Sequence, residues 1–292
     1  MQTALSQSMI KPGSVSSLSQ PTPPWVTMKA TVTKNLQIAT RYLPNLVGSL
    51  LNLAIRVIFF FLLANVISIG RSDAQSVDLT GRNLFIFFQG ALLLFVFNGP
   101  TLWGPINAVS TDLYNGTLEY LYSNPCSRYA YYVGTVLSEV IVNLPIFLPM
   151  YLFLIYISGV DFVNTLMVLL TCLVVLIALT AMGIMIALLA LLWRQVTSVA
   201  QILGILFEML AGAYLPISVF PQFVQYMAYL LPYTWGYDLI RFYSFNGNWP
   251  TILPVWQEWT VLILYAILFT IVSRYLLKKA EERAKRSGLH VI

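Results

Sequence analysis

Long apolar runs separated by short polar breaks fill most of this chain, and their lengths decide its fold class. Positions 46–69 carry a single charge, Arg56. At ~1.5 Å per residue, a helix of that length crosses the roughly 30 Å of hydrocarbon in a bilayer. Comparable runs occupy 84–109, 131–158, 162–193, 196–213 and 258–277, and the one at 196–213 is short. The pattern predicts an all-α membrane protein with six transmembrane helices. The run at 84–109 is broken at Asn98-Gly99-Pro100 and again at Gly104-Pro105. Breaks of this kind survive at membrane depth only where neighbouring helices or water satisfy the freed backbone groups. That helix is expected to be packed in protein or to line a cavity rather than to face lipid.

The flanking segments have other patterns. Between 26 and 43, Val32, Leu36, Ala39 and Leu43 recur at helical spacing, with Lys34 and Arg41 on another face. This predicts an amphipathic interface helix, with a solvated helix packed on a partner as the alternative. Residues 1–25, rich in Ser, Thr, Pro and Gln, read as a disordered cytoplasmic tail. They lack the continuous apolar core of a signal peptide. Residues 26–280 form the membrane domain and 281–292 a basic cytoplasmic tail. From 214 to 254 the chain stays apolar but is cut by Pro216, Pro221 and Pro232, among others. The pieces at 219–231 and 233–243 are too short to cross. They predict a re-entrant outer hairpin between the fifth and sixth helices. Asp238 and Arg241, three apart on one helix face, are expected to pair there. A plain interfacial ion pair without a gating role is the other reading.

Composition narrows the class further. Hydrophobic residues make up 58% of the chain, charged residues only 9%, and mean hydropathy is +0.76. A soluble domain carries about a quarter charged residues. Lys11, Lys29, Lys34, Arg41, Arg128, Arg194 and the cluster from Arg274 to Arg286 fall on one predicted side. Only Arg71, Arg82 and Arg241 fall on the other. The excess places both termini in the cytoplasm and the protein in the cytoplasmic (inner) membrane. The net charge of +5 reads as orientation, not nucleic-acid binding. Cys126 and Cys172 have no metal-ligand spacing, and the lone His290 leaves no nucleophile–base pair. There is no G-x-x-x-x-G-K-[ST] phosphate loop. No catalytic residue, metal or cofactor is assigned to this chain, so an ATP-driven cycle would need ATP and Mg on another subunit.

Arg56, Glu139 and Glu208 fall within the predicted spans. An unpaired charge in hydrocarbon is costly, so they are expected to pair with one another or to line a polar route. Glu208 also belongs to a stripe, Ala200, Gly204, Glu208 and Gly212, whose small residues permit close helix packing.

The longest polar interruption in the middle of the chain is 109–128. Asp112 is placed to cap a helix start, Asn115-Gly116 bends the chain, and 117–122 can form a short helix ended by Asn124-Pro125. An ordinary loop is the other reading. Asn115-Gly116-Thr117-Leu118-Glu119, then Leu121, Pro125 and Arg128, resembles the cytoplasmic loop of ABC-2-type transporter permeases. The segment 213–221, then Leu231-Pro232 and 238–241, resembles the stretch after the fifth helix in that family. The resemblance covers roughly 30–280. It implies a coupling helix, with Asp112, Gly116, Thr117, Glu119, Leu121, Pro125 and Arg128 at or beside the contact with an ABC ATPase subunit. It also implies a fifth helix near the central path and the axis of a dimer, and lipid around the whole. The expected function is the permease of an ABC exporter for a hydrophobic or amphiphilic substrate such as a drug, lipid or lipid-linked glycan. The alternatives are an ATP-independent carrier, for which no inverted repeat is evident, and a lipid-modifying enzyme, whose rim cluster of His, Asp or Glu is missing.

Overall fold

The computed structural model describes residues 22–67, 77–114, 116, 126–192 and 196–287. The described residues are helical almost throughout. In chain order the helices are α1 (Pro24–Arg41), α2 (Leu43–Val66), α3 (Gly81–Asn98), a π turn (Gly99–Trp103), α4 (Gly104–Tyr114), α5 (Arg128–Ser158), α6 (Phe162–Leu192) and α7 (Val196–Leu210). A 3-10 turn (Ile217–Val219), α8 (Gln222–Tyr229), α9 (Pro232–Ser244) and α10 (Val255–Ser287) complete the order. Among the described residues, five stretches are long and apolar enough to cross a membrane: Val47–Val66, Gly81–Asp112, Arg128–Ser158, Phe162–Leu188 and Val255–Ala280. The sixth candidate, expected at 196–213, is the 15-residue α7. At ~1.5 Å per residue it is about 22 Å long, short of the hydrocarbon thickness. α10 runs without a break from the last expected span into the basic tail.

The interrupted helix is the centre of the molecule. Every residue from Leu84 to Leu94 is buried, as expected from the break at its end. Pro100 has no N–H to donate to the preceding turn, and the chain widens into a π turn at that point. The Thr101 hydroxyl donates to the Phe97 carbonyl at 2.6 Å, supplying a donor where the helical ladder is disturbed. The widened turn then presses on α6 at Gly183. A Cβ built there would lie 1.8 Å from the Thr101 oxygen. α6 in turn packs against α4, α9 and α10.

α1 lies against the first half of α5. A Cβ at Gly134 would come within 3.0 Å of Thr31 and of the Met28 carbonyl, and Asn35 donates to the Ser138 hydroxyl at 3.0 Å. At the opposite end, α9 enters the bundle. Its first turn reaches Asn98 at the end of α3 through Tyr233. Asn246, just past its end, bonds Asn164 near the start of α6 at 3.0 Å. The prolines start these pieces rather than interrupt them. Pro216 precedes the 3-10 turn, Pro221 precedes α8, and Pro232 is the first residue of α9, where a missing N–H costs no helical bond.

The expected Asp238–Arg241 pair does not form. Both side chains are buried and each turns to another segment. Asp238 accepts from Trp249 Nε1 at 2.7 Å and from the Ile252 N–H at 2.8 Å. Arg241 donates through Nη2 to the Gly212 and Ala213 carbonyls at 2.8 and 3.1 Å, with its guanidinium 3.5 Å over the Phe87 ring. Spacing of three put the two on one face. The backbone groups around them, left over where α7 ends and where 249–252 turns, are the stronger claimants. Beside Asp238, the fully buried Glu258 accepts from the next amide, Leu253 N–H, at 3.0 Å.

Candidate translocation cavity

Two adjoining chambers open between the helices. The larger, of about 910 Å³, is walled by α2, the α3–π–α4 segment, α5 and α7. The smaller, of about 370 Å³, lies between α1, α4 and α5. They share Ser49, Gly104, Asn107, Glu139, Asn143 and Ile146, the neck where the two meet. Gly104 makes room for Glu139, whose Cγ would lie 3.6 Å from a Cβ at that position.

The larger chamber is lined by all three charges expected within the membrane, Arg56, Glu139 and Glu208. Arg56 makes no ion pair with either glutamate. Its Nε donates to Asn52 Oδ1 at 3.1 Å, and its guanidinium sits 3.8 Å over the Phe95 ring. Glu208 is buried and accepts from Asn98 Nδ2 and from the Tyr214 hydroxyl, the latter at 3.2 Å. Asn98 Oδ1 accepts from the Tyr233 hydroxyl at 2.7 Å. A polar chain therefore runs from α9 through the end of α3 to α7. Every donor in it has an acceptor, which is what makes a buried polar group tolerable. Glu139 is different: its side chain is exposed to the chambers.

The structure thus brings Arg56, Glu139, Gly204 and Glu208 together and leaves Gly212 apart. Gly204 packs on the ring of Trp103, with a Cβ there 3.3 Å away, so its close contact is made within the chain. Gly212 lies beyond the end of α7 with φ +84°; it is a turn glycine, not a helix-packing one. Asp112 does not begin a helix. It lies near the end of α4, where its Oδ2 accepts from the Tyr131 hydroxyl of α5. Gly116 has φ +67°, and Arg128 is buried at the start of α5. Thr117, Glu119, Leu121 and Pro125 fall outside the described residues, as does the expected short helix. Sequence reasoning misses Asn52, Phe95, Trp103, Tyr214 and Tyr233, and it reads Asn98 only as a helix breaker. An amide inside an apolar run next to a proline is the signal that could mark Asn98 as a polar contact.

Tyr233→Phe removes one donor from this chain without changing shape. We expect a loss of about 1 kcal/mol, measured as a lower thermal midpoint in detergent, with a smaller loss when Asn98 is already replaced by Leu.

Charges gathered in a cavity among helices long and apolar enough to cross a membrane define a polytopic membrane protein. Residues 28–245 match the ABC-2 type transporter family, and this chain belongs to that family. It is also similar to a protein of Bacillus subtilis (strain 168) named as a transport permease, YvfS. The two are 31% identical over 97 residues, a match covering 31% of this chain and 36% of that protein.

Proposed function

We propose that this chain is the transmembrane subunit of an ATP-driven exporter. In this reading two copies pair about a two-fold axis, and a separate ABC ATPase, carrying ATP and Mg, docks at 112–128. Both termini lie in the cytoplasm, and the segment 214–254 is a re-entrant hairpin closing the outer end. The observation that carries the reading is the pair of chambers meeting at Glu139. They lead from the α1 side, beside the end of α4, to the middle of the bundle at Glu208. α4 ends three residues before Thr117, so a push on the docking loop would act on the chamber wall directly. Apolar walls such as Leu53, Val96, Ile146 and Ile205, set around a few polar groups, suit an amphiphile better than a free ion or sugar. Closure of the ATPases would switch access from one side to the other.

Glu119→Ala and Gly116→Pro test the docking loop. In vesicles reconstituted with the ATPase, transport-coupled ATP hydrolysis should fall at least about fivefold, the low end of a coupling free energy of ~1–3 kcal/mol. Insertion should be normal. Unchanged coupling in both variants would remove the proposed docking site.

A further inference from the structure

Among the described residues, the lining charges of the two chambers do not balance. Lys34 and Arg56 stand against three carboxylates, Asp112, Glu139 and Glu208. Two of the carboxylates are provided for. Asp112 accepts from Tyr131. Glu208 accepts from Asn98 and Tyr214 and is attracted by Arg56. Arg56 is itself held by Asn52 and by the face of Phe95 and makes no ion pair with Glu139. Among the described residues, Glu139 has neither an ion pair nor a side-chain donor. The nearest amide, Asn143, donates to the Glu139 backbone carbonyl at 2.8 Å instead.

Glu139 also lies within α5, 11 positions after Arg128, about 16 Å along a helix axis, and next to Ser138, where α1 packs. An ionisable side chain inside a spanning helix is expensive unless it faces water or a partner, and by default marks a ligand or ion route. Its position at the neck means that anything passing between the chambers passes it. Gly104, the amides Asn107 and Asn143, and Ile146 line the space at the neck with it, and Leu53, Val96 and Ile205 give the larger chamber apolar wall. A carboxylate facing a chamber of mostly apolar wall is a constellation that receives a bulky organic cation.

We infer that the neck is a binding site for a lipophilic cation, with the Glu139 carboxylate as counter-ion and the walls of the larger chamber taking the apolar body. This rests on the transport reading above and names the substrate class: an amphiphile carrying a quaternary or protonated amine, or an equivalent delocalised positive charge. Anionic amphiphiles of the same shape are disfavoured at the neck, because Glu139 repels them and Arg56 is held by Asn52 and Phe95, while the remaining cation, Lys34, stands on the α1 wall of the smaller chamber.

Tetraphenylphosphonium and tetraphenylborate have nearly the same shape and opposite charge, which makes them the probes. Binding is measured by equilibrium dialysis on the purified chain in nanodiscs of zwitterionic lipid, with partitioning into empty nanodiscs subtracted. The expected result is saturable phosphonium binding and no saturable borate binding by the wild type. Glu139→Gln should weaken phosphonium binding at least about tenfold, roughly 1.4 kcal/mol, and Glu139→Asp should retain the cation preference. Equal phosphonium binding by wild type and Glu139→Gln, or a preference for borate, would overturn the assignment. So would loss of preference in a Glu139→Asp variant that melts like the wild type. If Glu139→Gln fails to fold, the charge selectivity of the wild type still decides. The assay contains no ATP and no ATPase. A chain that binds the cation but does not move it when its ATPase hydrolyses ATP would refute the exporter and leave the site standing.

Discussion

Gly183→Ala is expected to keep the central helices from seating. The added methyl carbon would lie 1.8 Å from the Thr101 oxygen, 2.8 Å from its carbonyl carbon and 3.2 Å from Leu102 Cα. All three are backbone atoms, so no side-chain rotation relieves the overlap. α6 would have to withdraw from the π turn, losing contact along both α3 and α9. Overpacking in a core costs ~1–3 kcal/mol where side chains can adjust, and here it should be at or above the upper end. Detergent-solubilised protein should show a strongly reduced monodisperse fraction and a lower thermal midpoint. Gly48→Ala is the control. A Cβ at Gly48 meets nothing within 4 Å, and alanine favours the helix by up to ~1 kcal/mol. A Gly183→Ala protein as stable as the Gly48→Ala one would mean that α6 and the π turn do not meet as described.

The second large effect is expected at Arg241. Arg241→Met keeps much of the length of the side chain and removes the donors. The Gly212 and Ala213 carbonyls would then face a buried thioether, and Phe87 would lose the cation over its ring. Bonds to charged groups contribute ~1.5–3 kcal/mol, and each stranded acceptor adds desolvation cost. A loss of about 3 kcal/mol or more is expected, read from thermal unfolding. Arg241→Lys should recover part of it, since an ammonium can reach one carbonyl but cannot stack as the planar guanidinium does. Equal stability of the Met and Lys variants would show that charge at this position is irrelevant to how α7 is joined to α9.

Much of this architecture is legible in local pattern. Apolar length alone places the helices seen at Val47–Val66, Arg128–Ser158, Phe162–Leu188 and Val255–Ala280. The break at Asn98-Gly99-Pro100 is legible as interior because a proline in hydrocarbon must have help with its freed carbonyls. One donor that helps, the Thr101 hydroxyl, is local; what is not legible is the room for the widened turn, which depends on Gly183, far away in the chain. The same limit explains the errors. Asp238 and Arg241 share a face by spacing, but spacing carries no information on the carbonyls at 212 and 213 or the amide of Ile252. The stripe ending in Gly212 keeps a period of four past the point where α7 stops. Asp112 looks like a helix start because nothing local shows the helix continuing through Gly104-Pro105. The gathering of Arg56, Glu139 and Glu208 is foreseeable from the cost of charge in hydrocarbon. Their pairing is not found, because Asn52, Asn98 and Tyr214 offer neutral partners that no pattern of charges reveals.

With α7 standing in the bilayer as the fifth helix, its brevity would make the thickness of the surrounding lipid part of this protein's energetics. Ile202, Leu206 and Met209 are exposed on it, and they would present an apolar band of about 22 Å to hydrocarbon of roughly 30 Å. The difference must be absorbed by local thinning of the lipid or by the apolar residues after the helix, Leu215 and Val219, both exposed. Each ångström of mismatch costs a fraction of a kcal/mol, so acyl chain length bears on this helix more than on the long α5 and α6. Sterol-poor, thin membranes would relieve the strain, and thick ones would pull on the segment that Arg241 fastens to α9.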